Sequence, residues 1–144
     1  MRLSPKLFIS TLGLCFSCYL SALPLEPTPA PQGARVFFVA PSSGETVQAP
    51  FMVRFGKENL KLTPAGEEVE GGGHFHLSID GKASIRANEP MGSEVIHLDN
   101  GESELNLFLT PGTHNLQIIF GDYLHRPHNP PIVSERITIE VSSE

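Results

Sequence analysis

The sequence predicts an all-β protein. Short apolar runs with strand-like alternation recur from residue 36 onward. Gly, Pro, Asn and Asp punctuate them at short intervals. No stretch of ten or more residues carries a helical period.

The elements follow in order. VFFVA (36–40) is the first strand, and PSSGET turns the chain. FMVRF (51–55) alternates apolar and polar residues. KENLKLTPAGEEVE (57–70) reads as a loop around Pro64 and Gly66. HFHLSID (74–80) follows Gly71-Gly72-Gly73 and ends in Asp80-Gly81, a tight-turn signal. EVIHL (94–98) is short, and ELNLFL (104–109) aligns Leu105, Leu107 and Leu109 on one face. Pro111-Gly112 leads into THNLQIIFGD (113–122), and IVSERITIEV (132–141) closes the domain. About seven short strands in roughly 110 residues fit an immunoglobulin-like β-sandwich. A small β-barrel is the alternative.

The flanks are of another kind. Residues 1–22 read as a secretory signal peptide, with Arg2 and Lys6 ahead of the apolar run Leu7–Leu20 and small residues Ser21 and Ala22 at its end. That run is short for a bilayer span. Residues 23–34 form a proline-rich linker of extended character. Residues 35–144 then make a single domain. Cleavage would remove both cysteines, Cys15 and Cys18, leaving no disulfide. It would also remove Arg2 and Lys6, leaving 8 Lys+Arg against 16 Asp+Glu, a formal charge of −8. The expected product is a periplasmic or secreted monomer with no membrane span. Its acidic balance disfavours nucleic acid and anionic lipid and favours cations.

All six histidines lie between His74 and His128. On a strand, Phe75, Leu77 and Ile79 share one face, and His74, His76 and Ser78 share the other. Residues two apart are about 6.6 Å apart at Cα, so their imidazoles can converge on one cation at about 2.0–2.1 Å. The second pair is His125 and His128, in the proline-stiffened GDYLHRPHNPP (121–131). Antiparallel pairing of the 74–80 and 113–122 strands would bring Asp122 beside His74. These four histidines are the candidate metal ligands, forming a surface site for copper(II) or zinc(II). Ring nitrogens within about 4 Å of one another would support it. His97, His114 and Asp122 are weaker candidates. His97 sits on a short strand of ambiguous facing. His114 shares parity with Leu116 and Ile118 and is expected to be hydrogen-bonded inside. Asp122 either orients an imidazole or closes an Asx-turn.

Catalytic signatures are lacking. The sequence has no G-x-S-x-G elbow, no H-E-x-x-H helix and no phosphate loop, and no thiol remains after cleavage. Two readings remain. One is a non-enzymatic metal-binding protein of the envelope. The other is a periplasmic interaction module for a protein, peptide or glycan.

The segments APFMVRFG (49–56), LTPAG (62–66), GHFHLSIDG (73–81), PGTHNLQIIFGD (111–122) and HRPHNPPIVSE (125–135) resemble a family of small secreted or periplasmic bacterial proteins classed only as a domain of unknown function (family 4399). The resemblance implies secretion and one β domain, and it supplies no activity, substrate or cofactor. Relatives often carry three consecutive histidines on the histidine strand, where this chain has Phe75 in the middle.

Overall fold

A computed structural model describes residues 25–81, 83, 85–86 and 88–143. The expected signal segment 1–22 lies outside the described residues, as do the first two positions of the proline-rich stretch. Among the described residues, no helix is long and apolar enough to cross a membrane.

The described residues form ten strands: β1 (Arg35–Ala40), β2 (Thr46–Gln48), β3 (Phe51–Glu58), β4 (Lys61–Leu62), β5 (Gly72–Ile79), β6 (Val95–His97), β7 (Glu104–Leu107), β8 (Gly112–Gly121), β9 (Pro127–Val133) and β10 (Ile137–Ser142). They make two sheets. One has the order β1-β3-β7. The other runs β2-β10-β8-β5-β4, with β6 added beside β5 and β9 beside β8.

Alternation explains most of these strands. β3 buries Phe51, Val53 and Phe55 and exposes Met52 and Arg54. β10 buries Ile137, Ile139 and Val141 between exposed neighbours. The buried faces meet between the sheets, where Phe55 lies 5.1 Å from Phe75 and Phe75 makes an edge contact with Phe120 at 5.5 Å. Burying one such side chain is worth about 1.5–3 kcal/mol.

β5 is the exception, since every residue from Gly72 to Ser78 is buried. One face carries Phe75 and Leu77 into the shared core. The other lies under a second, smaller cluster of Met91, Val95 and Ile119, with Ala83 and Ile85 against it. Ala83, Ile85, Met91 and Val95, which follow β5, therefore cover the face expected to lie at the surface, so His74 and His76 are enclosed rather than superficial. A strand covered on both sides must be buried throughout, as in the middle of a layered domain.

The strand count exceeds the expected seven for local reasons. β2 and β4 are three- and two-residue pairings that carry no alternation signal. The run IVSERITIEV divides at Ser134, whose backbone N–H donates to the Ile118 carbonyl at 2.9 Å while its Oγ accepts the Ile118 N–H at 2.9 Å. β9 begins at Pro127, inside the expected loop. Pro130 and Pro131 are tolerated there because they sit on the exposed stretch of an edge strand and need not donate.

Residues 25–34 do not hang free. Ala30 N–H donates to the Asn129 carbonyl at 3.0 Å, and Asn129 N–H donates to the Thr28 carbonyl at 2.9 Å. This proline-rich strap covers the outer edge of β9. Its Thr28 hydroxyl donates to Asp122 Oδ2 at 2.6 Å. Asp122 also accepts Arg126 Nε and Nη2 at 3.0 and 2.8 Å, and both members of this ion pair are buried.

Removing one partner of a buried pair strands the other charge. Asp122→Ala should therefore cost about 3–5 kcal/mol. Urea unfolding of the protein measures this, and an unchanged midpoint would show that the strap and turn do not depend on the pair.

Candidate metal centre

Pairing builds the site. β5 and β8 run antiparallel, with His74 opposite Gly121 and His76 opposite Ile119. On its other edge, β5 pairs with β6, which sets His97 opposite His76. Directly opposed residues share a face, so all three imidazoles lie on the side of β5 away from the main core. The turn after β8 then returns His125 over the same face.

That turn is tightly specified. Asp122 Oδ1 accepts the N–H groups of Leu124 and Arg126, each at 2.9 Å. Asp122 N–H donates to the Arg126 carbonyl at 2.8 Å, and His125 N–H donates to the Asp122 carbonyl at 2.9 Å. Across the site, Met91 N–H donates to the His125 carbonyl at 2.9 Å. His125 itself has φ 62°, the left-handed region where glycine is the usual occupant. An imidazole kept at such a position points to a use for it.

Glycine makes the remaining room. A Cβ on Gly121 would collide with the His76 ring and with Met91. A Cβ on Gly73 would collide with the Gly121 carbonyl. Gly73 therefore belongs to the strand and allows close approach of β5 and β8.

The ring nitrogens converge. His125 Nδ1 lies 3.0 Å from His74 Nε2, 3.4 Å from His76 Nε2 and 3.1 Å from His97 Nδ1. A neutral imidazole nitrogen carries either one N–H or one lone pair. His125 Nδ1 can satisfy one of these neighbours well, not three. His97 Nε2 donates to the Gly92 carbonyl at 2.8 Å, which leaves its Nδ1 lone pair aimed into the cluster. The Nδ1 atoms of His74 and His76 are buried and find no hydrogen-bond partner among the described residues.

Electrostatics keep the deep pair neutral. Burial, and then the nearby His125, push His74 down to about 4. Burial, followed by His74 and His97, pushes His76 down to about 2. At neutral pH both rings therefore offer lone pairs rather than protons, as a metal ligand must.

The expected site residues divide. His74, His76 and His125 meet, and their ligand atoms all lie within 4.8 Å of one another. His97, a weaker candidate from sequence, reaches His125 and forms a second such group with Asp99 and His125. His128 does not: its ring stacks on Phe120 on the core side of the sheet, with Nδ1 3.3 Å from the Phe120 carbonyl. Strand alternation from Pro127 onward decides this, because β9 reaches further than the expected loop allowed. His114 lies elsewhere on β8, with Nδ1 3.0 Å from Asp80 Oδ2 and Nε2 2.9 Å from the Thr110 carbonyl. Asp122 closes the turn and pairs with Arg126. Burial alone would raise its carboxyl, but hydrogen bonds from Thr28, Arg126 and Leu124 hold it below the usual carboxylate range.

Sequence reasoning missed Asp99. Its Oδ1 stands 3.8 Å from His74 Nε2, 3.8 Å from His97 Nδ1 and 3.7 Å from His125 Nδ1. The His97-x-Asp99 spacing was the available signal. A groove of about 1100 Å³ between the strap and Leu60–Lys61 lies apart from the imidazoles, so it is not part of this centre.

Depressed imidazoles make the metal-free fold acid-labile. The unfolded chain takes up these protons near pH 6.5, whereas the folded chain refuses them until about pH 4 and about pH 2. Stability is thus complete above pH 6.5 and falls as pH drops below it. The expected loss between pH 7 and pH 5 is on the order of 2 kcal/mol for each of the two rings. Urea titrations in chelator at both pH values should show it, and His76→Asn should show a smaller pH dependence. Equal pH dependence in the two proteins would remove His76 from the account.

No curated protein and no solved structure matches the chain significantly. Residues 53–142 match the family described as Domain of unknown function (DUF4399). That span runs from within β3 to the end of β10 and holds His74, His76, His97, His125 and Asp99, and the chain belongs to this DUF4399 family.

Proposed function

We propose that the protein is an exported, non-catalytic metal-binding protein that holds one transition-metal cation through His74, His76, His97 and His125. One observation carries the reading: three imidazole nitrogens surround His125 Nδ1 at 3.0–3.4 Å. Ligands about 2.0–2.1 Å from a tetrahedral ion stand about 3.3 Å apart. In a square-planar set one of the three would sit trans to His125, about 4 Å away. The spacing therefore favours zinc(II), with copper(II) as the competing occupant. Export is supported by the leader-like residues 1–22 and the acidic remainder. We further infer an immunoglobulin-like scaffold, a reading supported by the parallel β2–β10 pairing and the division of the strands between two sheets.

The interaction-module reading has its own support on the opposite side of the molecule. Phe37, Val39, Met52 and Phe108 are exposed on or beside the β1-β3-β7 sheet. Apolar surface of this kind is a common feature of docking faces.

Calorimetric titration of tag-free protein with zinc and with copper(II) tests the metal reading. A dissociation constant below about 10 μM, or roughly −6.8 kcal/mol, is expected. At a hundredfold excess of free metal over that constant, the fold should gain about 2.7 kcal/mol. His125→Gly provides the control. Glycine suits the φ of that position, so the metal-free fold should be retained or gain about 1 kcal/mol. Metal affinity should nevertheless fall by tenfold or more. Unchanged affinity in His125→Gly, or no binding by the parent protein, leaves the interaction-module reading in possession.

A further inference from the structure

We propose that Asp99 is the charged, solvent-side ligand of this centre, which expands the four-imidazole set to a five-coordinate N4O site built for a dication. The inference rests on the metal reading above and adds its electrostatics.

Position is the first argument. Asp99 Oδ1 is nearly equidistant from the ring nitrogens of His74, His97 and His125, at 3.8, 3.8 and 3.7 Å. It caps the triangle that these three atoms define. All three separations exceed hydrogen-bond length, so no direct hydrogen bond to the rings accounts for the placement. The backbone is held independently, because the Asp99 carbonyl accepts the Ala65 N–H at 2.8 Å. The side chain is 54% exposed and has room to swing inward.

Charge is the second argument. Four neutral imidazoles bring no negative charge to a dication. His74 and His76 are fully buried, so that charge would sit against low-dielectric surroundings. The other carboxylates nearby are engaged. Asp122 is taken by Arg126 and Thr28. Glu102 accepts from the Asn100 backbone and side chain. Backbone N–H groups of its own residue and of Gly92 hold the Glu94 carboxyl below the usual carboxylate range. Asp99 is the carboxylate whose contacts converge on the rings.

Access is the third argument. The side chains of His97 and His125 are 23% and 31% exposed, so the centre opens to solvent on the side where Asp99 stands. A hydrated cation entering there meets the carboxylate first. An N4O donor set without sulfur suits zinc(II) or copper(II) rather than copper(I).

Asp99→Asn tests the assignment with little change of shape. Zinc affinity, measured by competition with a chelating dye, should fall about 10- to 100-fold. The urea midpoint of the metal-free protein should not move. The affinity loss should persist at about 1 M salt, where the Debye length is about 3 Å. A loss that disappears in high salt makes Asp99 a remote charge and overturns the ligand assignment. Wild-type affinity in Asp99→Asn overturns it as well, while leaving the four-imidazole reading intact. Failure of the parent protein to bind zinc or copper(II) overturns both.

Discussion

The antiparallel register between β5 and β8 is the constraint on which the rest depends. With His74 opposite Gly121, Phe75 and Leu77 must enter the core beside Ile118 and Phe120. The same register turns His74 and His76 to the other face. Gly121 lacks the side chain that would occupy the space of the His76 ring. The turn that follows starts one residue later and brings His125 back within 3.0 Å of His74. A slip of one residue would exchange the two faces, placing imidazoles in the apolar core and phenylalanine at the site.

Several features of this arrangement oppose stability. Two buried imidazoles hold Nδ1 atoms without partners among the described residues. A histidine occupies a left-handed turn position. Each costs on the order of 1–3 kcal/mol. The remainder of the local structure compensates by holding the turn rigid. Asp122 receives N–H groups from inside the turn, the guanidinium of Arg126 and the hydroxyl of Thr28 from the strap. The proline-rich segment thus contributes to the geometry of the site without supplying a ligand. Strain concentrated at one cluster and offset by its surroundings is characteristic of functional sites rather than of framework.

Much of the fold was legible because it depends on local alternation. β1, β3, β5, β7 and β8 lie where apolar periodicity placed them. Legibility ended where pairing was decided at a distance. The strand β9 crosses a proline-rich stretch that has no strand propensity, because one edge of β8 is available there and prolines can lie on an exposed border. β2 and β4 exist only through their partners. Among the candidate ligands, the H-x-H pair and His125 were legible from spacing and from the expected neighbour relation of two strands. His128 was misplaced because, as the second residue of an unexpected strand, it turns to the opposite face from the one a loop would permit.

By itself the sequence determined the all-β class, the faces of β5 and the concentration of imidazole chemistry in one half of the chain. Each of these follows from a period of two along an extended backbone or from composition. Tertiary structure alone decided that the histidine face is covered, that His97 and Asp99 approach His125 while His128 turns to the other face, and that the proline-rich segment clamps the turn of His125. These outcomes depend on which strand edge pairs with which and on which loop folds over which face. Such choices are made by burial of surface distant in sequence, and no local pattern encodes them.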